Sequence, residues 1–189
     1  MKSKSNLIYL VFLILASLIL AGTMVYVGIK DITDNSANLG APVMVFMLGF
    51  MILLGAAFLI VAEFSGNKEM KLLGTIFNHL AVMMVLFTQA NNNFQGFGIM
   101  GGIALFVCSI FLILNLYLHQ TGLQIVAFVF SAVTFLCLLG DGVYGLISKN
   151  YDLLYVLYFF GYFFFGAGLF VLGLFGLINL TKKNDVPQA

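Results

Sequence analysis

Six long apolar runs separated by short polar breaks organise the chain. They span about residues 7–29, 41–62, 70–90, 97–118, 122–147 and 153–179. A helix needs about 20 apolar residues to cross the hydrocarbon core of a bilayer. In that core only helices and closed barrels satisfy their own backbone hydrogen bonds. The pattern therefore predicts an all-α integral membrane protein, a single six-helix bundle. The first run is longer than the roughly 7–15 residues of a signal-peptide core, so it reads as a retained helix. Within it, Leu20-Ala21-Gly22-Thr23 has the small residues of a cleavage step.

The breaks agree with this reading. Residues 30–40 form a polar loop, and Pro42 opens the second helix at a position where its missing N–H does no harm. Glu63 closes that helix, and Ser65-Gly66-Asn67-Lys68-Glu69 makes a tight turn. Gln89 and Asn91 to Asn93 form an uncharged loop. His119-Gln120-Thr121 is so short that helices four and five must be antiparallel neighbours. Residues 148–152 form the last loop, and the tail from Thr181 to Ala189 reads as polar and disordered.

Six crossings put both termini on one side. Lys2, Lys4, Lys68, Lys71, Lys182 and Lys183 belong to that side, and Lys30 and Lys149 to the other. The excess of lysine marks the terminal side as cytoplasmic, in the cell membrane. Gly98 and Gly102 form a G-x-x-x-G pair, and Gly161, Gly166, Gly168, Gly173 and Gly176 line the last helix. Small residues let helices approach closely, so a tightly packed bundle is expected.

Composition narrows the function. The chain is 62% hydrophobic and 8% charged, against about 25% charged in soluble domains. All eight basic residues are Lys, so no Arg fork can clamp a phosphate or dicarboxylate. No basic patch suits nucleic acid. Cys108 and Cys137 lie within apolar runs and fit no metal or redox spacing, so no metal or cofactor is expected. Gly96-Phe97-Gly98-Ile99-Met100-Gly101 matches G-x-G-x-x-G without the strand or the following acid of a dinucleotide site. Leu139-Gly140-Asp141 has half of an intramembrane aspartyl-protease signature and no partner Asp. The chain does not read as an enzyme.

The candidate chemistry lies in Thr75-Ile76-Phe77-Asn78-His79. Thr75 precedes Asn78 and His79 by three and four positions, which places all three toward one face of a helix. An unpaired polar group in hydrocarbon costs roughly 2–7 kcal/mol, so this face should meet polar groups or water. Intramembrane ionisable residues are functional by default; a helix-to-helix hydrogen bond is the plain alternative. Asn115, Gln124, Ser131 and Thr134 extend the polar set onto helices four and five. Glu63 and Asp141 read as interface charges. His79 is the only titrating group placed for proton coupling.

Several pieces resemble the acetate/succinate uptake transporter family, a family of six-helix proteins. They are Glu63 followed by Gly66-Asn67, the polar face at Thr75 to His79, and Leu123-Gln124 with Phe128-Val129-Phe130-Ser131 and Thr134-Phe135-Leu136. Gly166-Ala167 with Asn179 completes the set. The family's Asn-Pro-Ala-Pro-Leu-Gly-Leu signature is absent: Asn6-Leu7-Ile8-Tyr9-Leu10 stands there. The resemblance implies a homo-oligomer, a hexamer, with a pore in each protomer narrowed by Leu15, Phe77 and Ala132. The expectation is thus a bilayer-embedded transporter or channel for a small monocarboxylate such as acetate. Its path would run past Thr75, Phe77, Asn78 and His79, with Ser131 and Thr134 facing them. Two other readings fit six helices of this length: a substrate-binding subunit of a micronutrient importer, and a non-transporting assembly or stress-response protein with a dry interior.

Overall fold

In the computed structural model, residues 4–34, 40–90, 96–149 and 152–184 are described, and all six elements are α-helices. They are α1 (Lys4–Asp34), α2 (Gly40–Ser65), α3 (Lys68–Ala90), α4 (Gly96–Leu118), α5 (Thr121–Ser148) and α6 (Leu153–Asn184). All six are long and apolar enough to cross a membrane. They extend beyond the apolar runs because polarity alone does not stop a helix; a cap or a breaker does. So α1 continues into the stretch read as loop, to Asp34, and α6 carries Thr181 to Asn184, read as disordered tail, in helix. The uncharged loop at 91–93 and the tail beyond Asn184 lie outside the described residues.

The chain stops its helices with local chemistry. Gly66 ends α2 in the left-handed region at φ 72°, where a side chain would be strained. Asn67 then caps α3: its Oδ1 accepts from the backbone N–H of Glu69 at 2.9 Å and of Met70 at 3.2 Å. His119 reverses α4 into α5 with φ 50°, a conformation in which His is among the more tolerated residues. Asp152 caps α6 by accepting from Leu154 N–H at 3.0 Å.

These short turns make successive helices antiparallel neighbours, and α6 returns to pack on α1. Among the described residues no other pair of helices comes into backbone contact. The six helices therefore stand in a closed ring, in chain order, around a centre that only side chains can fill. Ala16 and Leu20 of α1, Ile52 of α2, Leu86 of α3, Leu105 of α4, Leu138 of α5 and Tyr162 of α6 fill it from mid-height toward the end away from the termini.

The α2–α3 seam is the one where glycine matters most. A methyl on Gly55 would lie 2.5 Å from the Asn78 backbone nitrogen, and one on Gly74 would lie 2.8 Å from that of Leu59. Backbone cannot yield as a side-chain tip can. Gly98 and Gly102 of the G-x-x-x-G pair are buried too, but they face different helices: Asp141 of α5 and the Phe87 ring of α3.

Gly55→Ala should destabilise the fold by about 1–3 kcal/mol, the usual cost of overpacking. Gly22→Ala, with nothing within 4 Å of the added methyl, should be neutral or stabilise by up to about 1 kcal/mol. Thermal loss of helical circular dichroism in detergent reads both, and equal midpoints would contradict the seam assignment.

Candidate functional site: a chamber at one end of the ring

Above the packed centre, at the end that holds the chain termini, the ring encloses a chamber of about 230 Å³. Every helix contributes to its wall. Tyr9 comes from α1, Leu59 from α2, Thr75 and His79 from α3, Asn115 from α4, Gln124 from α5 and Asn179 from α6. His119 and Asn179, both exposed, mark its mouth, and Lys71 stands on the α3 wall. His79 lies two turns of α3 below Lys71, about 12 Å at the helical rise.

The wall is polar in a particular sense. Among the described residues no carboxylate lines it, while Lys71, Asn115, Gln124 and Asn179 carry N–H donors. Glu63 stands one turn above Leu59 on α2, outside the lining. Asn115 Nδ2 donates to Gln124 Oε1, which ties α4 to α5. Gln124 Nε2 donates to Gly173 O at 3.4 Å and ties α5 to α6. The absence of a side chain at Gly176 makes room for this amide, and Gly173 leaves room for the Ser131 hydroxyl beside it.

His79 forms part of the floor. Its ring meets the Phe165 ring edge-on, with centroids 5.5 Å apart. Nδ1 lies 2.8 Å from Ser109 Oγ, and that hydroxyl donates to Leu105 O at 2.6 Å. With the serine hydrogen committed to Leu105, Nδ1 donates and Nε2 keeps the ring's lone pair. Below this floor come Phe165, Leu86 and Leu138, all buried.

The polar residues singled out in the sequence separate in three dimensions. Thr75 and His79 line the chamber, and Thr75 Oγ1 donates back to Lys71 O at 2.8 Å. Asn78 does not line it: the side chain is fully buried in the junction of α1, α2 and α3. Its Nδ2 donates to Ile52 O at 3.0 Å and to Ser17 Oγ at 3.3 Å, while Oδ1 has no partner among the described residues. Adjacent helical residues point about 100° apart, so Asn78 and His79 part company. Phe77 turns toward Phe58 of α2, with ring centroids 6.0 Å apart.

Ser131 and Thr134 are buried, but neither faces His79 across the chamber. Their hydroxyls donate to Phe128 O and Phe130 O of their own helix, at 2.7 and 2.8 Å. Leu15 is 39% exposed on the outside of α1, and Ala132 is half-buried on α5 outside the lining. The residues expected to narrow a pore thus form no constriction together. The narrowing below the chamber is made instead by His79, Phe165 and the packed centre. Lys71, His119 and Asn179 complete the site; the lysine carried a signal only as part of the charge bias. No metal-binding group of His, Cys, Asp and Glu occurs among the described residues.

Compared with known protein families, with curated proteins and with solved structures, the chain matches none.

Thiols report which parts of this interior meet water. With Cys108 and Cys137 replaced by Ala, Gln124→Cys and Thr75→Cys should react with a water-borne thiol reagent. Val82→Cys and Leu138→Cys, both in the packed centre, should stay protected. Protection at position 124, or reaction at 82, would contradict the boundary at His79.

Proposed function

We propose that the chain is a multi-pass protein of the cell membrane with both termini in the cytoplasm. Lys68, Lys71, Lys182 and Lys183 gather at the chamber end, against Lys30 and Lys149 at the other. The ring, on this reading, carries a small monocarboxylate such as acetate, and the chamber is its cytoplasm-facing vestibule. The observation that carries the proposal is the chamber itself: a small cavity walled by all six helices, with a lysine, amide donors and, among the described residues, no acid on its wall.

Each property selects the solute. Drug-sized ligands occupy cavities of roughly 300–1,000 Å³, so about 230 Å³ suits a smaller one. A carboxylate gives up hydration water on entry, and N–H donors replace it. One amine point charge and neutral amides attract an anion without the grip of an Arg fork, which suits a solute that must also leave. Passage requires the His79–Phe165 floor to open, an apolar constriction of the kind that gates by excluding water.

The closed floor also favours a second reading, in which the ring captures a small solute for a partner and conducts nothing alone. Purified protein in liposomes decides between them. Acetate flux above that of empty vesicles is expected, and its absence would contradict transport. Lys71→Gln should lower the flux about tenfold, the factor for one charge-assisted hydrogen bond. His79→Ala should change the flux by altering the floor; an unchanged flux would remove the histidine from the path.

A further inference from the structure

The seam between α3 and α4, the two shortest helices, has the fewest backbone approaches in the ring among the described residues. On its outer side lies a groove of about 140 Å³, walled almost wholly by hydrocarbon from Ile76, Leu80, Met83, Phe106 and Ile110. Three residues, Thr75, His79 and Ile113, line both the outer groove and the inner chamber. At His79 the wall between the two is one side chain thick. There the seam is bridged by the bond between His79 Nδ1 and Ser109 Oγ, and Ser109 also lines the groove. Such bonds contribute about 0.6 kcal/mol on average between membrane helices, so this bond adds little to the barrier between groove and chamber.

We propose that this seam is a lateral site for a single-chain alkyl carboxylic acid, with its head in the chamber and its tail in the outer groove. The inference deepens the transport reading and rests on it: the same wall that suits acetate would accept its longer-chain relatives. Two observations choose the occupant. The chamber side is polar, with Lys71 on its wall and, among the described residues, no acid in its lining, which complements a carboxyl head. The groove side offers only apolar surface, continuous with that polar wall through His79. A free alkyl acid matches both halves. A phospholipid carries its charge in a headgroup at the membrane surface and reaches the groove with a tail alone.

The test is photolabelling of the full chain in neutral-lipid nanodiscs, using an alkyl carboxylic acid with a diazirine at its tail end. Labels should concentrate on Leu80, Phe106 and Ile110, and excess unlabelled acid should displace them. Lys71→Gln should weaken that competition about tenfold, and Ile110→Trp should abolish labelling by filling the groove. A label spread over the outward faces of all six helices would overturn the proposal. So would groove labelling by a tail-diazirine phospholipid that the free acid does not displace, or competition unchanged in Lys71→Gln. Acetate flux measured on the same preparation keeps the two ideas apart. Flux with scattered labels sinks the lateral site alone, and displaceable groove labels without flux sink transport alone.

Discussion

A ring of six helices leaves a centre that no backbone occupies, and what fills that centre determines everything else about the molecule. Among the described residues each helix backbone approaches only those of its two neighbours, so the interior must be closed by side chains reaching inward. From mid-height to the end opposite the termini, hydrocarbon from every helix does this and packs to near-complete burial. Toward the termini the filling gives way to amides, a lysine and a histidine around an open volume. Polar groups there can meet water, and polar groups below must meet each other. The boundary falls at His79, where the ring nitrogen is tied to Ser109 and the ring edge meets Phe165.

The helices were readable because twenty or more apolar residues in succession have few structural alternatives, and their order was readable because the turns are short. Closure of α6 on α1 was not, since no local pattern encodes which distant helix a strongly apolar segment meets. The candidate site was legible in part. Thr75 and His79 are four apart and share the chamber, as helical spacing requires. Asn78 follows the same polar pattern but sits some 100° around the helix from His79, and goes into a three-helix junction. Ser131 and Thr134 looked like partners across a path, yet a hydroxyl on a helix can satisfy itself on the preceding turn, and both do. Sequence cannot tell a self-satisfied hydroxyl from one that faces water. Lys71 and His119 were assigned to the surface by position, and only the shape of the ring brings them to the mouth of a cavity.

Chemistry and shape then point the same way. An opening on one side, a wall with donors and, among the described residues, no acid, and an apolar floor are the features on which the proposal of a small-anion vestibule rests. Asn78 contributes differently: by bonding Ser17 and the Ile52 carbonyl it pins three helices beside the floor. The polar groups of the third helix thus divide between holding the ring together and giving it an interior that a solute can enter.

With the floor closed, water should reach His79 from the end where α1 begins and go no further. Water-edited solid-state NMR of the protein in lipid tests it most directly, because polarisation passes only from water to protons nearby. Transfer should be fast to the side chains of Gln124, Thr75 and His79, and slow to those of Asn78, Leu86 and Leu138. Slow transfer to His79, or fast transfer to Leu138, would contradict it.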